Sequence, residues 1–204
     1  CGSGTIISEA LLLGFINIIG SDITEKSVAD TKLNIDWIAN KFNKKTSFHF
    51  SSVIPNPHNR GEESLSKKQT DRDPSSVATG NLARDDKTSI KIFQSDIKNI
   101  TQHVAKKSID AIATEPYLGA PLKGNESREV LLRQVGELKT LYIEAFKQFS
   151  AILKPHGAVV FIIPCFKFKN DWITIDCKKE IEALGFKTIP FLEQCPHLFY
   201  ARPD

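Results

Sequence analysis

The 204-residue chain contains no methionine and begins at Cys1, so it is expected to be a piece of a longer protein. Its four cysteines, Cys1, Cys165, Cys177 and Cys195, include no CxxC pair. That spacing argues against a zinc site or a disulfide framework and fits a reducing cytoplasm. No apolar run reaches the roughly 18 residues of a membrane span, and no signal peptide is recognisable. Dense Lys/Arg tracts are missing too. The formal net charge of +3 permits a nucleic-acid partner without arguing for one. No Gly-Lys-Ser/Thr follows the glycine-rich start of the chain, which excludes a P-loop.

What is present suits one globular domain with an insertion. Hydrophobic residues make up 41% of the chain, enough for a sizeable core. The first five residues, Cys1-Gly2-Ser3-Gly4-Thr5, form a glycine-rich turn. Glycines allow a tight turn and a close backbone approach. An apolar helix is expected from Ile6 to Gly14, with its unpaired N–H groups facing the turn. A strand from Asn17 to Ser21 then ends on Asp22. An acid at that place is the usual partner of ribose hydroxyls in a nucleotide-binding α/β unit. The turn by itself is equally compatible with a plain helix start. The strand that should precede it is expected to lie outside the sequence.

Thr24 to Phe42 reads as a helix, with Thr24 as N-cap and Val28, Leu33, Ile35, Trp37 and Ile38 on its apolar side. Residues 43–88 lose periodicity and carry Pro55, Pro57, Gly61, Pro74 and Gly80. They read as a polar, flexible insertion, in which Thr46 to Val53 supplies a short edge strand. Alternation returns at Ser89 to Asp96, again ending on an acid. A buried strand, Ile109 to Thr114, opens into Glu115-Pro116-Tyr117-Leu118-Gly119. Arg128 to Leu153 has the three-to-four spacing of a long helix, closed by Lys154-Pro155-His156-Gly157. Ala158 to Pro164 is fully apolar, as a central parallel strand is. A helix is expected over Trp172 to Leu184, and a final hairpin from Lys187 to Leu192 and His197 to Arg202.

Strands alternating with helices imply an α/β fold, a mostly parallel sheet with helices on both faces and a C-terminal antiparallel hairpin. Ligands of such sheets sit beyond the carboxyl ends of the strands. The glycine turn, Asp22, Asp96 and Glu115-Pro116-Tyr117 all fall there. Each has a plain alternative: Asp22 and Asp96 as helix caps, Glu115-Pro116 as an ordinary turn. Together they point to a site.

These residues carry a resemblance. Cys1-Gly2-Ser3-Gly4-Thr5, then Glu9-Ala10, then Gly20-Ser21-Asp22-Ile23, resemble the cofactor half of Rossmann-like class I S-adenosylmethionine-dependent methyltransferases. The closer likeness is to the RNA methylase group that includes tRNA guanine-N2 methyltransferases, often joined to a THUMP domain. It covers nearly the whole chain apart from the insertion. The resemblance implies that Cys1, Gly2, Ser3, Gly4 and Thr5 leave room for the methionine moiety. Asp22 takes the ribose hydroxyls, Ile23 packs on adenine, and Asp96 with the Ile97 amide meets the adenine edge. It also implies that Glu115, Pro116 and Tyr117 hold a flipped target base, with no metal. The cofactor would be S-adenosylmethionine and the partner a nucleic acid, tRNA above all.

The chain departs from the group at Thr114-Glu115-Pro116-Tyr117, where the group has Asp-Pro-Pro-Tyr. A carboxylate there favours guanine, whose N1–H and N2 amine form a donor pair. A DNA adenine-N6 or cytosine-N4 methyltransferase, and a non-catalytic methyltransferase-like subunit, are the alternatives. Lys123, Arg128 and Arg133 read as surface charge or phosphate contacts. Cys165 reads as buried packing and Trp172 as core. Phe166 and Phe168, alternating with Lys167 and Lys169, are open to a role against nucleic acid.

Overall fold

The computed structural model describes residues 1–41, 46–50 and 88–189, with backbone alone for 46–50. The chain is mixed α/β and forms two compact units, Gly2–Gln94 and Ser95–Asp204, the second including Cys1.

In the first unit, α1 (Thr5–Leu12) leads to β1 (Asn17–Asp22) and α2 (Glu25–Lys41). β2 (Thr46–Phe50) and β3 (Thr88–Gln94) complete a three-stranded parallel sheet in the order β1-β3-β2. The short edge strand expected near Thr46 is therefore present, and β3 is central. Other residues of the expected 43–88 insertion lie outside the described ones.

Local chemistry accounts for these boundaries. α1 starts at Gly4, whose φ of 90° only glycine adopts without strain. The Thr24 hydroxyl accepts the Ser27 amide and caps α2, as the sequence predicts. Gly20 in β1 faces Ile7 of α1 so closely that a Cβ would overlap the Ile7 side chain. Ile90 and Ile92 of β3 and Ile35 of α2 are fully buried. The helix face differs from the expected one. Leu33 and Trp37 are 68% and 59% exposed, and Thr31 and Ala39 take buried places beside Val28, Ile35 and Ile38. The 3.6-residue period permits either stripe, and packing against the sheet selects the one without Leu33.

In the second unit, a short 3-10 helix (Ile97–Gln102) leads to β4 (Ile109–Thr114), α3 (Arg128–Ile152) and β5 (Leu153–Phe161). β4 and β5 pair in parallel, as two strands joined by a helical crossover do. The pairing shifts register between Ile109 and Ala111, which face Leu153 and Ala158 with residues 154–157 of β5 between them. His156 sits at φ 65° there, and Gly157 lies against the Asp110 and Lys154 carbonyls, where a Cβ would be 3.1 and 3.0 Å away. The Lys154 ammonium holds both Asp110 oxygens at 2.7 and 2.9 Å. The core is aromatic. Phe161 of β5 meets Tyr142, Phe146 and Phe149 of α3, and Phe186 meets Phe146 edge-on. Each such pair adds about 0.5–1.5 kcal/mol beyond burial.

Four expectations for this unit are corrected. β5 was expected to be covered on both faces, yet Val160 is 55% exposed and Ile162 and Ile163 just beyond it are half-exposed. The helix expected over Trp172 to Leu184 is instead an antiparallel hairpin, β6 (Cys165–Phe168) and β7 (Asp171–Thr174), followed by a short α4 (Lys178–Ala183). Trp172-Ile173-Thr174-Ile175 is β-branched and aromatic, with Ile173 and Ile175 buried and Trp172 and Thr174 exposed. That is a period of two, which a helix cannot satisfy. Trp172 is accordingly on the surface rather than in the core, and Cys165 is half-buried. The hairpin expected over Lys187 to Arg202 lies outside the described residues, except for 187–189, which form no strand. No described helix is long and apolar enough to cross a membrane.

Candidate functional site

The glycine turn and the end of β1 are joined directly. Asp22 Oδ2 accepts the Gly2 amide at 2.9 Å, and Oδ1 accepts the Thr24 amide and hydroxyl, each at 3.0 Å. Partial burial pushes the Asp22 carboxyl up. The hydrogen bonds it accepts, those of the Thr24 and Gly2 amides first, together with a nearby positive charge, more than offset it and hold the group well below the usual carboxylate range. Asp22 is thus ionised at neutral pH.

Two side chains of α2 hold the turn from the other side. The Thr31 hydroxyl donates to the Gly2 carbonyl at 3.0 Å, and Asn34 Nδ2 donates to the Ser3 carbonyl at 2.8 Å. Sequence reasoning missed both. The available signal was a threonine at helical spacing between Val28 and Ile35, a polar residue on the buried stripe. Gly4 lies against Thr31, where a Cβ would sit 2.9 Å from Thr31 Cγ2. Gly2, at φ 54°, has open space where its Cβ would be. Ile23 follows Asp22 and is 62% exposed, its carbonyl held by Gln94 Nε2 at 2.9 Å. An ionised acceptor, a bare glycine backbone and an exposed aliphatic side chain suit a nucleoside with a polar tail.

The other predicted residues belong to the second unit. Asp96 caps the 3-10 helix, its Oδ1 accepting the Lys98 amide at 3.0 Å. Ile97 turns its side chain into that unit's core. Cys1 is half-buried. Glu115 is exposed and accepts no hydrogen bond from a described residue. Pro116 is half-buried and Tyr117 is 62% exposed.

The Tyr117 carbonyl accepts the Tyr142 hydroxyl of α3 at 2.8 Å. Tyr142 is fully buried, and burial, followed by the nearby Cys177 charge, pushes its phenol up to about 12. In the sequence it counted only as an apolar helix position. A buried phenol requires a partner, which was the unused signal. Gly119, at φ 104°, lets the Gln134 side chain press onto the loop. Gln134 Nε2 is buried without a hydrogen-bond partner.

Tyr117, Ala120 and α3 residues Gln134, Glu137, Leu138 and Leu141 line a cavity of about 180 Å³. That is smaller than the roughly 300 Å³ at which pockets for drug-sized ligands begin. It suits one planar ring system rather than a whole cofactor. A second cavity of about 250 Å³ lies between the 122–126 loop and the β6–β7 hairpin. Among the described residues, no three His, Cys, Asp or Glu side chains are grouped as metal ligands would be. No protein-family model and no curated protein matches the chain.

Proposed function

We propose that the chain is a Rossmann-like S-adenosylmethionine-dependent methyltransferase acting on an exocyclic nitrogen of a nucleic-acid base, guanine N2 in tRNA. The observation that carries the reading is the hydrogen bond from the Gly2 amide to Asp22 at the carboxyl end of β1. It sets a bare glycine backbone beside an ionised acceptor where α/β sheets bind nucleotides.

On this reading, Gly2, Ser3 and Gly4, with Cys1 and Thr5 at the margins, hold the methionine moiety. Asp22 takes the ribose hydroxyls, and the exposed Ile23 side chain packs on the adenine. Asp96 keeps one oxygen for the adenine amine while the other caps its helix. The Ile97 amide meets the ring. When bound, S-adenosylmethionine supplies a methyl group already activated by its sulfonium charge.

The chain's own residues then have a positional task. An exocyclic amine is a poor nucleophile because its lone pair is delocalised into the ring. The Glu115 carboxylate accepts the amine N–H, localises that lone pair and takes up the proton that the product must lose. The exposed Tyr117 ring stacks on the base, with Pro116 stiffening the turn. Tyr142, through the Tyr117 carbonyl, is a positioning residue.

The test is mass spectrometry of nucleosides from total tRNA incubated with the protein and isotope-labelled S-adenosylmethionine. Labelled N2-methylguanosine is expected. Label only in DNA, or none in any nucleic acid while the cofactor binds, would overturn the reading.

A further inference from the structure

We infer that the β6–β7 hairpin and the 122–126 loop bind the single-stranded nucleic acid that flanks the target base. The choice of a nucleic acid as occupant rests on the methyltransferase reading. The cleft itself is a separate site, about 250 Å³, lined by Leu122, Asn125, Glu126, Lys167, Phe168 and Lys169.

Charge is the first observation. Lys167 and Lys169 are exposed, and neither forms an ion pair with a described residue. Lys169 lies over the Phe168 ring, 5.4 Å from its centroid. Glu126 is the acid in the cleft lining, and its two oxygens accept the Lys123 and Gly124 amides of its own loop. It therefore shapes the loop rather than neutralising the hairpin lysines. Asp171, at the turn, accepts the Trp172 amide at 2.8 Å. Lys123 and Arg128 add exposed positive charge nearby in the chain.

The second observation is a stacking surface. In the hairpin register Lys167 stands opposite Trp172, and Phe166 opposite Ile173. Phe166 and Ile173 face the core, so Lys167 and Trp172 share the outer face. Trp172 leaves 54% of its surface to solvent. An indole beside an unpaired ammonium accepts an unstacked base and its phosphate together. Bases inside a duplex offer no free face to such a ring, which selects a single strand.

The third observation is the turn. Lys169 adopts φ 55°, a left-handed conformation that suits glycine or asparagine better, and Asn170 is its neighbour. A lysine held there keeps its ammonium at the tip of the hairpin, over the cleft. Lys169→Gly consequently removes the charge while easing the backbone.

The experiment is fluorescence anisotropy of the full chain with a fluorescein-labelled single-stranded RNA of mixed sequence, without cofactor, over a salt series. Its duplex is the comparison. Wild type is expected to prefer the single strand. Lys167→Gln with Lys169→Gly should weaken binding about tenfold or more at low salt. It should also flatten the slope of log K against log salt by about 1.4, since each phosphate contact with a single strand contributes about 0.7. Trp172→Thr, which keeps strand propensity, should weaken binding by about tenfold. The thermal midpoint of Lys169→Gly should equal or exceed that of wild type, which excludes unfolding as the cause. Variants that bind like wild type, equal affinity for duplex, or no binding by wild type would each overturn the inference. Transfer assays separate it from the enzymatic reading. Hairpin-dependent binding with no methyl transfer sinks that reading alone, and transfer with hairpin-independent binding sinks this one alone.

Discussion

The Tyr142 hydroxyl donates to the Tyr117 carbonyl at 2.8 Å, tying the fully buried centre of α3 to an exposed aromatic turn. A helix with a packed aromatic core is thereby tied to the turn that carries Glu115 and Pro116.

Tyr142→Phe keeps the ring contact with Phe161 and removes only this bond. A neutral hydrogen bond contributes about 0.5–1.5 kcal/mol, so unfolding in urea should show a loss of that size. On the proposed function, methyl transfer should fall further than stability does, through a lower kcat. An unchanged kcat would mean that the turn holds its place without Tyr142.

The same phenol sets an alkaline limit. Its folded value, near 12, lies above the unfolded value of about 10. Between these values the unfolded state releases the proton first, so the folded state binds more protons and stability falls as pH rises. Below pH 10 the contribution is fully present. Chemical denaturation of wild type against Tyr142→Phe from pH 9 to 12 should show the decline in wild type and its absence in the variant.

Asp22 gives the opposite limit. Its carboxyl is held below its ordinary value, so its contribution is present above the unfolded value of about 4 and is lost as pH falls below it. Asp22→Asn loses the charge and turns a donor toward the Gly2 or Thr24 amide. It should cost about 1–3 kcal/mol and abolish S-adenosylmethionine binding measured by calorimetry. Binding at wild-type affinity would remove Asp22 from the proposed cofactor site.

Gly2 and Gly4 should separate binding from folding. Both have positive φ, so either alanine costs about 1–2 kcal/mol in strain. At Gly4 the new Cβ also meets Thr31, whereas at Gly2 it meets open space. Gly4→Ala should therefore lower the thermal midpoint clearly more than Gly2→Ala. Gly2→Ala should fold and still bind the cofactor weakly, because the methyl occupies the space a ligand would use. Equal midpoints would contradict the packing at Thr31.

Glu115→Gln tests the acceptor. The side chain is exposed and accepts no hydrogen bond from a described residue, so the thermal midpoint should move little. The labelled methyl reaching tRNA should fall about a hundredfold or more if the carboxylate takes up the amine proton. Undiminished methylation would sink that role.

Features set by neighbouring residues were legible in the sequence. The Asp22-Thr24 boundary, the Thr24 cap and the edge strand at Thr46 follow from glycine, capping chemistry and short-range period. α3 was legible because its aromatic and leucine stripe runs over many turns. The region after Phe161 was not. Whether Trp172-Ile173-Thr174 coils or extends depends on its partner strand, and that pairing requires Cys165–Phe168 to fold back through Lys169-Asn170. The expected helix forms only from Lys178, after the β-branched stretch has been taken up by the hairpin.

The sequence by itself determined the alternation of helices and strands, the conformations available to Gly2 and Gly4, and the acid at the end of β1. These are properties of single residues and their immediate spacing. Only the tertiary structure decided that Asp22 takes the Gly2 amide, that Thr31 and Asn34 hold the turn, and that Tyr142 holds Tyr117. It also decided that Leu33 and Trp172 face solvent while Thr31 is buried. Each of these joins residues distant in the chain or depends on which face finds a neighbour. Helical and strand periods define the candidate faces, and packing between elements selects among them.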